Sequence, residues 1–283
     1  MGALWHWLAD PLDSPPMRRA LVEALILSVP AGMLGAWVVL RRLAFTSHAI
    51  GNATFPAVVI AYLAGWSVSG ASTATAVLLA VALVLLSRRS ELAEGAVVAV
   101  ALAFLLALGA ILVSDVRDPG VGTEGLLFGS LLALEPSDLV RGGAVAALVA
   151  VAGAAAARGW LVIGFDAPSA RAAGWPIASL DALLAALLGL AVGISVTLVG
   201  SLMAAGLFVI PAATARLVTR RMPSLQAAGV AFAAVDGVVG LWLAGRLDLP
   251  AGAAIVTTGA GLFLALLAAR RGAAWLAARP APA

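Results

Sequence analysis

An all-α, polytopic transmembrane bundle of about eight to nine spans with one re-entrant element is the fold class this 283-residue sequence predicts, and three observations carry it. Hydrophobic residues make up 63% of the chain and charged residues 11%, with a mean hydropathy of +1.09, whereas soluble domains hold roughly 45–50% apolar residues. The apolar residues come in runs of about 20, the length a helix needs to cross a hydrocarbon core of roughly 30 Å. All 17 basic residues are arginines, gathered at the ends of those runs. Helices follow because lipid offers no partner to an exposed N–H or C=O, so each span must satisfy its own backbone.

Nine apolar segments fall at about 20–40, 45–65, 68–87, 93–113, 139–157, 177–194, 198–213, 225–244 and 251–269. They form one transmembrane domain over 18–272, preceded by a tail at 1–17 and followed by an Ala/Pro-rich tail at 273–283. The first tail lacks a basic residue and is too short an apolar run for a signal peptide, while Trp5 and Trp7 suit an interfacial tether. With the N-terminus outside, the spans put twelve arginines on the cytoplasmic side (Arg41, Arg42, Arg88, Arg89, Arg158, Arg171, Arg216, Arg220, Arg221, Arg270, Arg271, Arg279) and five outside. That asymmetry sets the orientation. The stretch at 120–134, "GVGTEGLLFGSLLAL", is short and glycine-broken, and reads as a re-entrant or interfacial element.

Packing signals are also present. Trp37, Trp66, Trp160, Trp175, Trp242 and Trp275 lie near span ends, where an aromatic belt is expected. Gly189 and Gly193, four residues apart, allow two helices a close approach. Pro211 is expected to break its helix, and Glu23 and Asp181 are expected near span ends where solvation is cheap.

Several functions are excluded at this level. The arginines are spent on topology, so the net charge of +3 does not point to nucleic acid. Without cysteine there is neither a disulfide framework nor a thiolate site. Without lysine there is no Walker-type phosphate loop, which needs one.

The chemistry concentrates in "LAFTSHAIGNATFPAVV", residues 43–59. His48 and Asn52 stand four apart and share a helix face, with Thr46, Ser47 and Thr54 nearby. Strongly polar groups inside a membrane face a bundle interior or a watery path, which makes transport the leading reading. A neutral imidazole is a good transition-metal ligand and an amide carbonyl a weak one, a pairing suited to passing contact with an ion. The competing reading is structural: His48 bonded to a backbone carbonyl and Asn52 bridging helices. Ser47 beside His48 does not make a hydrolase, because adjacent helix positions diverge and no carboxylate orienter is near. Asp236, mid-span in "AFAAVDGVVGLWLAG", is an ion or proton relay candidate, or a protonated buried acid.

"LRRLAFTSHAIGNATFP" at 40–56 resembles the opening motif of the membrane permeases of metal-ion ABC importers, the zinc/manganese/iron class. Four later blocks resemble that family's landmarks in its order: "LFGSLLALEPSDL", "GFDAPSARAAGWP", "SVTLVGSLMAAGLFVIPAATARLV" and "LDLPAGAAIV". The likeness extends from about 17 to 271. Anchored on Phe45 and Pro56, it places His48 where many members carry an acidic residue and Asn52 where they carry histidine, while Ala57 replaces a usual glycine. A histidine is kept on the same face one turn away and the carboxylate is lost, so neutral ligands suit zinc at least as well as manganese.

The resemblance implies a homodimeric permease of the bacterial inner membrane with no permanently bound cofactor and a divalent metal ion as transported substrate, zinc first and manganese or iron next. It implies a separate ATP-binding subunit, an extracytoplasmic metal-binding protein and surrounding membrane lipid as partners. It makes His48 and Asn52 a transient gate. It also makes 164–175 a coupling helix for the ATPase, with Asp166 capping its start, Pro168 in the first turn, Arg171 presented outwards and Gly174 ending it. The alternative function is an ion-coupled secondary transporter using His48 and Asp236.

Overall fold

A computed structural model of the chain describes residues 14–89, 94–114, 127–129 and 134–277. These residues are helical in eleven elements: α1 Pro15–Leu40, α2 Ala44–Ala53, α3 Phe55–Ala64, α4 Val68–Arg89, α5 Glu94–Ser114, α6 Pro136–Phe165, α7 Ala167–Ala172, α8 Ile177–Val199, α9 Ala204–Val218, α10 Met222–Leu247 and α11 Ala251–Ala277. Seven of them (α1, α4, α5, α6, α8, α10 and α11) are long and apolar enough to cross a membrane. The expected second span is two ten-residue halves, and α9 is a 15-residue helix.

Helix ends follow local chemistry. Ser14 caps α1 by accepting from the Met17 N–H at 3.4 Å, and Pro15 and Pro16 occupy positions whose N–H would be idle. The helix therefore begins inside the segment assigned to the N-terminal tail. At the other end, alanine-rich sequence carries α11 on to Ala277, past the expected boundary at 272. Glu135 caps α6 reciprocally with Asp138, whose carboxylate accepts from the Glu135 N–H at 3.0 Å.

Helices α1 and α8 are the most deeply buried, and each contacts its main neighbour through missing side chains. On α8, a β-carbon at Gly189 would lie 2.7 Å from the Ala76 carbonyl oxygen, and one at Gly193 would lie 2.5 Å from the Thr73 Cα, so α4 lies directly against the glycine face anticipated in the sequence. The Ser72 hydroxyl donates to the Gly193 carbonyl at 2.9 Å across that contact. On α1, Gly32 meets Gly229 of α10 backbone to backbone, and Gly35 faces the Phe208 carbonyl of α9.

Three expectations change. Trp37 and Trp160 are core residues rather than belt residues: their rings meet edge to face at 5.4 Å, and the Trp160 indole donates to the Leu180 carbonyl at 2.9 Å. Trp66 and Trp275 remain exposed, as a belt requires. Pro211 sits inside α9 without ending it, since a proline interrupts only the hydrogen bond to the residue four before it, and the Thr214 hydroxyl bonds the neighbouring Ile210 carbonyl at 2.8 Å. Glu23 is not solvated. It is 1% exposed, its two carboxyl oxygens have no hydrogen-bond partner, and they occupy the space a side chain on Gly142 would fill. Asp181, by contrast, pairs with Arg41 at 2.7 Å.

The helix break between α8 and α9 is built from glycine. Gly200 has φ +83° and Gly129 φ +82°, a region that L side chains rarely adopt, and each lies in the other's van der Waals shell. The Leu202 N–H reaches the Leu127 carbonyl at 3.2 Å, so the described piece of the expected re-entrant stretch helps satisfy the broken backbone. The rest of that stretch, 120–126 and 130–133, lies outside the described residues.

Candidate functional site

The polar stretch of the second span lies where that span is cut in two. Pro56 has no N–H to offer the Asn52 carbonyl four residues earlier, and α2 stops at Ala53. Thr54 occupies the joint with φ −74° and ψ −16°, its hydroxyl donating to the Gly51 carbonyl at 2.7 Å. The joint is also fixed from outside: Gly51 approaches the Ser201 carbonyl, which lies 3.1 Å from where its β-carbon would be, so α2 rests on the glycine-built α8–α9 break.

His48 and Asn52 are brought together. The Asn52 Nδ2 lies 2.9 Å from the His48 Nε2, as expected for an i,i+4 pair. Their surroundings differ sharply, because His48 is exposed on the surface of the chain and Asn52 is 2% exposed. In this arrangement the amide donates to Nε2, which places the imidazole proton on Nδ1. The Asn52 Oδ1 then has no hydrogen-bond partner. Turning the amide by half a rotation aims Oδ1 at the side where Nε2 stands, so the pair can offer one nitrogen and one oxygen to the same point.

The other polar residues of the stretch do not join them. Thr46 lies on the opposite side of α2, lining a cavity at the Arg41 end. Thr54 is spent on its own backbone. Ser47 is fully buried with its Oγ unpartnered. Among the described residues there is no group of three or more His, Cys, Asp or Glu that could hold a metal ion. Asp236 is not part of this cluster: it is 2% exposed on α10, its Oδ2 fills the space beside Gly259 of α11, and its Oδ1 has no hydrogen-bond partner.

The second expected site is a compact corner. Asp166 ends α6 with φ −152° and caps α7, its Oδ1 accepting from the Ser169 N–H at 3.1 Å and its Oδ2 accepting from the Ser169 hydroxyl. Those two bonds, the hydroxyl's first, hold its carboxyl below the usual carboxylate range. Pro168 stands in the first turn. The helix closes with the Trp175 N–H on the Ala170 carbonyl at 3.0 Å and Gly174 at φ +79°, a glycine C-terminal cap. Ala170 is buried against Ile163 and Ile177, which pins α7 to its flanking helices and leaves Arg171 exposed. Phe165, beside the cap, is 90% exposed. Sequence reading passed over it, since a Phe at the end of an apolar run looks like more span; only the turn at Asp166 strands it outside.

Apolar helices, two glycine- or proline-made breaks within the bundle and a capped helical corner define a multi-pass membrane protein with interrupted spans. The chain belongs to the ABC 3 transport family, whose model matches residues 13–270. It is 30% identical over 263 residues to the manganese transport system membrane protein MntC of Halalkalibacterium halodurans, covering 93% of this chain and 90% of that one. It is 25% identical over 260 residues to the chelated iron transport system membrane protein YfeC of Yersinia pestis, covering 91% and 87%. Among solved structures, PsaBC from Streptococcus pneumoniae in complex with Fab contains a chain that superposes with a TM-score of 0.80 at 26% identity, covering 94% of this chain and 95% of that one. The protein is thus a transport subunit, and ATP hydrolysis belongs to a separate subunit.

Proposed function

We propose that the chain is the permease of an importer for a divalent transition metal ion, and that His48 and Asn52 form the transient contact through which the ion passes. One observation carries this reading: a surface imidazole, within a membrane-embedded element, faces a buried amide whose oxygen is uncommitted. An imidazole turned towards lipid would be costly, so His48 faces water or a partner. A second copy of the chain supplies both, with the two His48–Asn52 pairs meeting near a dimer axis. Neutral ligands bind weakly enough to release the ion, and its charge is compensated by helix dipoles or water.

Nitrogen and amide oxygen suit zinc at least as well as manganese, whose affinity for carboxylate oxygen is stronger. Manganese is the second reading, favoured by the names of the relatives. At the cytoplasmic corner, α7 docks on the ATPase subunit through Arg171, with Asp166 and Gly174 fixing its start and stop, and the exposed Phe165 ring gives that contact an apolar anchor. Family membership selects this ATP-driven scheme over ion coupling through His48 and Asp236, which the fold keeps on separate elements with separate neighbours. A metal-binding protein on the outer side delivers the ion, because two polar side chains discriminate too little.

The test is metal accumulation measured for several elements together, in cells lacking the gene and complemented with the wild type or His48→Ala. Loss of one metal in the null strain, restored by wild type alone, is the expected outcome. Normal restoration by His48→Ala would return His48 to a packing role.

A further inference from the structure

A cavity of about 630 Å³ opens between the start of α2, the ends of α4 and α6, α7 and the start of α8. Among the described residues its polar lining includes Arg41, Arg42 and Arg171 against a single acid, Asp181, which already pairs with Arg41 at 2.7 Å. Val84, Leu184 and Leu188 give it an apolar wall, and the Ser87 Oγ on that wall is buried without a hydrogen-bond partner. Thr46 and Ile50 face this cavity, two positions away from His48 and Asn52 and therefore across the helix from them. It is a separate place from the ion contact. By the arginine asymmetry it stands at the cytoplasmic surface of the membrane.

Arg42 reaches the cavity from a backbone conformation that residues with a β-carbon rarely adopt, φ +58°. A cavity with surplus guanidinium charge at one end, hydrocarbon at the other and a position at the bilayer boundary is complementary to one class of ligand. We infer that it holds the headgroup of an anionic phospholipid from the cytoplasmic leaflet, with Arg42 on the phosphate, Arg171 at the rim and the lipid's upper chains against the Val84–Leu188 wall. The volume lies within the roughly 300–1,000 Å³ of small-ligand sites. The bound lipid would lie between the turn that leads into α2 and Ala167 of α7, so the helix of the proposed ion contact and the proposed docking corner would border one ligand. This inference rests on the membrane orientation used above and not on the metal.

The test uses the permease complexed with its ATPase subunit, in neutral detergent, with retained lipid measured by mass spectrometry after incubation with phosphatidylglycerol or phosphatidylcholine vesicles. Wild type should retain phosphatidylglycerol preferentially. Arg42→Asn keeps a residue that tolerates the left-handed backbone and should lower that preference roughly fivefold, the worth of one arginine beside an anionic surface. His48→Ala should leave lipid retention unchanged, which separates this inference from the metal reading. Arg271→Asn, at the exposed end of α11, should also leave it unchanged. Equal retention of both lipids, an unaltered preference in Arg42→Asn, an equal loss in Arg271→Asn, or displacement of the lipid by inorganic phosphate would each overturn the assignment; the last would mark a soluble-anion site.

Discussion

Asp166 and Asn52 are both short polar side chains at helix joints, yet both carboxyl oxygens of Asp166 are engaged by Ser169, while the Asn52 amide keeps an idle buried oxygen. At the α6–α7 corner, polar chemistry is consumed in shaping the backbone, and what the corner thrusts outwards is Arg171 and Phe165. At the α2–α3 joint the backbone is shaped by Pro56, Thr54 and Gly51, so His48 and Asn52 bond each other and the Asn52 oxygen is left over. The contrast teaches that a satisfied polar group is evidence for structure. The idle oxygen of Asn52 is set apart from the other unpartnered buried atoms, those of Ser47, Glu23 and Asp236 among them, by standing beside a surface imidazole, and burying it idle costs about 1–3 kcal/mol.

That contrast can be broken most decisively at His48. His48→Ala should abolish or nearly abolish metal uptake in whole cells while membrane yield and assembly are unchanged; His48→Asp, which restores a carboxylate, should keep uptake and move preference towards manganese. Next in size is Arg171→Glu, which should remove most ATPase association, and with it transport, from a permease that still folds, as judged by co-purification. Asn52→Leu sharpens the comparison: it removes one hydrogen bond to His48 together with an idle buried oxygen, for a side chain of similar size, and should change thermal stability by less than about 1 kcal/mol, yet lower uptake strongly. A large loss of stability with normal uptake would show that the amide is structural after all. The smallest effect belongs to Asp166→Ala, which should loosen α7 and speed hydrogen exchange at Ser169 several-fold without touching the ion contact. Because the folded Asp166 carboxyl titrates below its unfolded range, the cap is complete above that range and weakens as pH falls through the depressed value. A carboxyl-carbon titration by NMR follows it directly.

Much of the frame was legible. Apolar length found every long helix, the i,i+4 spacing paired His48 with Asn52, and Gly189/Gly193 found the α4–α8 contact because only glycine permits backbone approach. The capped corner was readable in "FDAPSARAAG", since cap, proline and terminal glycine act within a few residues. What stayed hidden depends on distant chain. The deep burial of Trp37 requires Trp160, that of Glu23 requires the gap at Gly142, and the pairing of Asp181 requires Arg41, 140 positions earlier. The break at Thr54 had a local cause in Pro56, but a span-length run of apolar residues outvoted it.

The joint at Thr54 also has a mechanical meaning. Ten helical residues make a rod of about 15 Å, half the hydrocarbon thickness. Two such rods sharing one hinge form a toggle, where an unbroken span would be a single strut. With α3 held still, a swing of α2 by roughly 10° would carry its far end about 2.6 Å sideways on that radius, and the Gly51–Ser201 approach beside the joint would have to give for it to do so. That far end, at Ala44, follows directly on the Arg41–Leu43 turn, so a displacement of that turn would act at the end of the arm and carry His48 partway with it.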